Sequence, residues 1–170
     1  METKDPSVLT AVLAVDPGTT TGLALATFSP VEFPQAIWSA QLDWHDASDE
    51  VAHRLEQMRR NLDAGTVRRV VAVGERFVIN AHTAQRGQQG AEDALGMLGV
   101  LKREARLTGV SLADLQSAST AKSLCKDRVL RNLRFYAPGL THVNDAYRHA
   151  VTWALTNHEL EPRLVLGEDA

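Results

Sequence analysis

Residues 11–26 read AVLAVDPGTTTGLALA. Two apolar runs, 11–16 and 22–28, flank PGTTTG, whose Gly18 and Gly22 allow a sharp reversal, so the pattern predicts a β-hairpin. The first run ends on Asp16, at a position where a strand is expected to be buried. Holding an ionised carboxylate there costs on the order of several kcal/mol unless a cation or hydrogen bonds compensate it. The remainder of the chain is therefore read for what compensates Asp16.

AIWSAQL, 36–42, supplies a third strand, and the acidic HDASDE after it offers Asp46 or Ser48 as the cap of a helix over 49–64, with Val51, Leu55, Met58 and Leu62 as its apolar stripe. VRRVVAVGE, 67–75, reads as a buried strand that ends, like the first, on a carboxylate, Glu75. NAHTAQRGQQG, 80–90, has the composition of an exposed loop and carries Arg86 toward solvent or a ligand. A helix over 91–107 follows, with Leu95, Leu98, Leu101 and Leu107 along it, Gly96 and Gly99 permitting close approach of another helix, and Gly109 ending it. SLADLQS, 111–117, is a short fifth strand, a basic helix covers 119–135, and Pro138-Gly139 breaks the chain before a last helix over 142–157.

This order predicts an α/β fold: a five-stranded mixed sheet, three strands antiparallel and two added through helical crossovers, flanked by helices. Right-handed crossovers place the fourth strand beside the first, so Asp16 and Glu75 come from neighbouring strands. Residues 1–157 form one domain on this reading, and the acidic tail 158–170 is expected to be partly disordered.

The 170 residues contain a single cysteine, Cys125, expected to be an ordinary helix residue. That excludes an intramolecular disulfide and a cysteine-rich zinc site, and fits a reducing cytosol. No apolar stretch approaches the roughly 18 residues of a membrane span, and METKDPSVL lacks the features of a signal peptide, so a soluble, cytoplasmic protein is expected. The net charge of -3 hides a segregation. Residues 54–148 hold 16 Lys+Arg against 9 Asp+Glu, net +7, whereas the rest holds 2 against 12, net -10. Lys122, Lys126, Arg128, Arg131 and Arg134 form the densest basic run, with only Asp127 opposing, and such a run marks a nucleic-acid-binding face or a solvated helix surface.

The last helix begins HVNDAYRHA, with His142, Asp145 and His149 at i, i+3 and i+7 on one face. Ala146, Ala150 and Ala154 let that helix lie close to the sheet. Two strand carboxylates plus a helix carboxylate and imidazole make an oxygen-rich donor set suited to Mg2+ or Mn2+ rather than structural zinc. Two such ions about 4 Å apart suit phosphodiester cleavage.

The pieces AVDPGTTTGLA, VVAVGE and HVNDAYRHAVTWAL, with the order of elements over residues 11–157, resemble the RuvC-like Holliday junction resolvases, above all the small members encoded by phages. The resemblance implies a ribonuclease H-like fold and a homodimer that nicks two symmetric strands of a four-way DNA junction, leaving 3′-hydroxyl ends. It implies Asp16, Glu75 and Asp145 as metal carboxylates in a two-ion site. His142 falls where many members carry another Asp, a loss of one negative charge that favours Mn2+ at least as much as Mg2+. Lys122 and Lys126 are implied near the scissile phosphate, Arg128 and Arg131 on backbone phosphates, and Phe77 against a base at the crossover. His149 has no firm counterpart and is read as a support behind the ligands or a core histidine. The leucine- and glycine-bearing helix 91–107 is the implied dimer surface, with packing on the sheet as its alternative.

DPGTTTG also resembles the first phosphate loop of the actin and sugar kinase superfamily, but 170 residues supply one domain where those proteins use two, and no second glycine-rich phosphate loop is present, so no nucleotide cofactor is expected. A ribonuclease H-like nuclease for RNA, flaps or forks, and an inactive branched-DNA-binding module, are the remaining alternatives.

Overall fold

The computed structural model describes residues 9–77 and 88–166. Five strands, β1 (Thr10–Asp16), β2 (Thr20–Phe28), β3 (Gln35–Asp43), β4 (Arg69–Gly74) and β5 (Ser111–Leu112), form one sheet in the order β3-β2-β1-β4-β5. The first three are antiparallel neighbours, and β4 lies parallel to β1 with Val15 opposite Gly74, so the fourth strand stands beside the first as the sequence reading expects. Among the described residues, six helices flank the sheet: α1 (Trp44–Asp63), α2 (Gln88–Thr108), α3 (Ala118–Leu124), α4 (Asp127–Asn132), α5 (Thr141–Thr156) and α6 (Pro162–Leu166).

Because side chains alternate across a strand, β1 feeds two cores. Leu13 and Val15 pack with Val51, Leu55, Met58, Met97 and Leu101 of α1 and α2. Val12 and Ala14 pack with Val143, Ala146, Tyr147 and Ala150 of α5, joined by Leu130 and Leu133. Ala146, Ala150 and Ala154 are fully buried, and small residues on both sides bring α5 close to the sheet. The closest approach is at Gly22 of β2, where a Cβ would stand 2.0 Å from the His142 carbonyl oxygen.

Several boundaries differ from the sequence reading. The cap of α1 is Asp43, whose carboxylate accepts from the Asp46 N–H at 3.0 Å, so the helix starts at Trp44 and neither Asp46 nor Ser48 caps it. Helix α2 begins at Gln88, and of the 80–90 loop residues 80–87 lie outside the described residues. Only two residues of 111–117 join the ladder as β5, although Gln116 adds a bridge to Glu75.

The basic segment 119–135 is not one helix. It breaks between α3 and α4 because Cys125 turns into the core and Lys126 takes an extended conformation that caps α4, which re-aims Leu130 and Leu133 inward. The chain after Asn157 is not a loose tail through residue 166. Leu160 and Val165 join the core, and buried Glu159 is held by Arg68, by Arg69 Nη1 at 3.6 Å and by the Thr10 hydroxyl at 3.2 Å.

Candidate active site

Asp16 ends β1 and is 6% exposed. Burial pushes its carboxyl above the usual range, and the charges of Glu75 and Asp145 push the same way, while a hydrogen bond from His142 opposes them. That bond joins His142 Nδ1 to Asp16 Oδ2 at 2.7 Å. It raises the His142 imidazole above its ordinary value, aided by the charges of Asp16 and Asp145 and opposed by burial and by Lys122. The start of α5 is fixed by two contacts invisible in the motif. Gln41 Oε1 accepts from the His142 N–H at 3.2 Å, and the Asn144 amide bonds both the N–H and the carbonyl of Ala137 at 2.9 Å, securing the Pro138-Gly139 turn.

Glu75 follows β4, its N–H donating to the Val15 carbonyl at 3.1 Å, so its backbone sits beside the end of β1. His149 is 1% exposed, with Nε2 3.2 Å from Glu75 Oε2 and Nδ1 3.1 Å from Gln116 Oε1. It is thus both a core residue and a support for Glu75. Asp145 is 8% exposed, with Lys122 Nζ 3.1 Å from Oδ2 and Arg148 bonded to Oδ1. The structure therefore brings Asp16, Glu75, His142, Asp145, His149 and Lys122 to one end of the sheet.

Among the described residues, no three His, Cys, Asp or Glu side chains stand as a ready metal cage. Each acid instead has a protein partner: His142, His149, or Arg148 with Lys122. The donor types, three carboxylates and an imidazole, are nonetheless those a hard divalent ion takes, and a cation among them would offset first the burial of the Asp16 charge and then its repulsion by Glu75 and Asp145.

Lys126 is exposed and shares with Lys122, Asp127, Thr141, Asp145 and Arg148 a cavity of about 370 Å3 that reaches only Asp145 of the three site acids. Arg128 and Arg131 are exposed but make internal contacts, Arg128 with the Leu166 carbonyl at 3.3 Å and Arg131 stacked 3.8 Å from the Tyr136 ring. Phe77 is half-buried two residues past Glu75, and Arg86 lies outside the described residues. On α2, Leu98 and Leu101 are buried and Gly96 accommodates the Trp44 ring, whereas Leu95 and Leu107 are exposed and Gly99 faces open space. The sequence reading missed Arg148, Gln41 and Gln116. Only Arg148 had a local signal, its i, i+3 spacing from Asp145.

Solved structures match the chain over most of its length, two RuvC structures among them. One is Thermus thermophilus RuvC in complex with Holliday junction substrate, at 19% identity and a TM-score of 0.61, covering 86% of this chain and 94% of that one. The other is a Thermus thermophilus RuvC structure at 17% identity and a TM-score of 0.60, covering 89% and 98%. The chain has the RuvC fold. That is a ribonuclease H-like architecture, with which the strand order β3-β2-β1-β4-β5 agrees. No protein-family profile matches the sequence, and no curated protein does. Among the described residues, no helix is long and apolar enough to cross a membrane.

Proposed function

We propose that the protein is a metal-dependent endonuclease of branched DNA that resolves four-way junctions as a homodimer in a reducing cytosol. The observation that supports this reading is that Asp16, Glu75 and Asp145, at the ends of two neighbouring strands and on α5, lie at one end of the sheet, where burial and the charges of Glu75 and Asp145 push the Asp16 carboxyl up despite its bond to His142. The RuvC structure of the same fold holds Holliday junction substrate, which supports the choice of DNA.

On this reading Asp16, Glu75, His142 and Asp145 would hold two Mg2+ or Mn2+ ions, which when bound would supply a nucleophilic water at neutral pH and stabilise the leaving oxygen. His149 and Gln116 fix the direction of Glu75, and Gln41 fixes the helix turn that presents His142. Lys122 and Lys126 share a cavity with Asp145 and neutralise backbone phosphates, with Arg128 and Arg131 further along the same basic segment. Phe77 and Arg86 flank the site in sequence beyond Glu75 and contact the DNA around the crossover.

The test is cleavage of a defined four-way junction with Mg2+ and with Mn2+, both nicks mapped at nucleotide resolution. Paired symmetric nicks are expected, at least as strong with Mn2+. Asp16→Asn, Glu75→Gln and Asp145→Asn are each expected to abolish cutting and preserve junction binding. Binding without cutting by the unaltered protein, in either metal, refutes the enzyme assignment.

A further inference from the structure

Arg148 lies one turn beyond Asp145 on α5, and its side chain is 12% exposed. Its guanidinium is committed on three sides: Nη1 to Asp145 Oδ1, Nη2 to Asp127 Oδ1, and Nε to the Cys125 carbonyl at 3.1 Å. The last two partners belong to the break between α3 and α4, so one side chain ties the site helix to that break. Lys122 Nζ takes the other Asp145 oxygen at 3.1 Å, but from a side chain that is 55% exposed and able to withdraw into solvent.

A divalent ion that uses Asp145 needs one of these two oxygens, and it meets there a nearly buried cation whose charge it repels. Lys122 yields at little cost because water is available to it. Arg148 does not, since leaving Asp145 means moving a guanidinium already fixed by Asp127 and Cys125. The charge-assisted bonds of a planar guanidinium are also the stronger ones.

We propose that Arg148 is a positioning residue that holds Asp145 in the metal-free protein and competes with the divalent ion for it. This rests on the reading of Asp145 as a metal ligand. Its consequence is local: an ion on Asp145 draws that carboxylate away from Nη1, while the guanidinium keeps its bonds to Asp127 and the Cys125 carbonyl.

The experiment is a Mn2+ titration of DNA-free protein, read by the electron paramagnetic resonance signal of free aqueous Mn2+. Arg148→Gln is expected to bind Mn2+ about tenfold more tightly than the unaltered protein, and Arg148→Lys to fall between the two. Equal or weaker binding by a cooperatively folded Arg148→Gln overturns the competition. Should that variant not fold, the unaltered protein decides: the 15N resonances of the Arg148 guanidinium, restrained without metal, are expected to show freer rotation at saturating Mg2+. Unchanged restraint overturns the proposal. A protein that takes up no Mn2+ at all overturns the metal-dependent function as well, whereas unchanged affinity on substitution removes the role of Arg148 alone.

Discussion

Gly22→Ala tests how the start of α5 is placed on the sheet. The added Cβ meets the His142 carbonyl oxygen at 2.0 Å, its carbonyl carbon at 2.2 Å and its Cβ at 2.8 Å. Two of these are backbone atoms, so no rotamer change relieves the clash, and α5 must recede by about 1 Å or more to reach even the tightest ordinary contact. Overpacking of this kind costs about 2–3 kcal/mol. For a domain of this size that is a fall in Tm of roughly 4–12 °C. The same displacement stretches the 2.7 Å bond between His142 Nδ1 and Asp16 Oδ2 past the range of a hydrogen bond. The raised pKa of His142 should therefore drop toward its ordinary value, because that bond is the largest cause of the shift. Thermal unfolding by circular dichroism and an NMR titration of the His142 ring measure the two effects. Gly99→Ala is the control: its Cβ meets nothing within 4 Å in the middle of α2, so it should stabilise by roughly 0.5–1 kcal/mol. A Gly22→Ala protein that melts within a degree of the original, with the imidazole titration unmoved, refutes the close packing argued here.

In metal-free protein, His142 holds its proton more tightly folded than unfolded, so its contribution to stability is complete below pH 6.5 and is lost as pH rises through the higher folded value. Asp16 has the same sign, its raised folded pKa making stability decline as pH climbs from 3.8. Urea midpoints across pH 4–9 should fall accordingly, His142→Gln should flatten the upper limb, and a rising upper limb in the unaltered protein contradicts the assignment. Burial pushes the Cys125 thiol up to about 12, so a disulfide reagent at pH 8 should leave the native protein untouched and label it fully in denaturant; quick labelling of the folded protein disproves this. Junction affinity should fall steeply with salt, and Lys122→Gln or Lys126→Gln should each lower the slope of log K against log salt by about 1. A flat salt response discredits the basic face.

Much of the site was legible because the chain states it locally. An apolar run closing on Asp16 before PGTTTG, a second closing on Glu75, and a helix with Ala at every fourth position each follow from strand alternation or helical spacing, and the handedness of crossovers places β4 beside β1. His149 was visible by its spacing, but its contact with Glu75 was not. The break at Cys125 escaped detection because the local sequence continues a helical pattern and only the burial of Cys125, Leu130 and Leu133 in one core forces the interruption.

The amino-acid order thus determined most of the elements and the acids that close β1 and follow β4, since strand alternation and helical spacing depend on neighbours within a few residues, and crossover connectivity narrowed the strand order. Which cation each acid keeps was decided only by the tertiary structure. Arg148 with Asp127, His142 with Asp16, and Arg68 with Glu159 are choices among many charges of equal rank in the sequence. Packing resolves them, because Coulomb attraction and hydrogen bonding act on distances that exist only once the layers have closed.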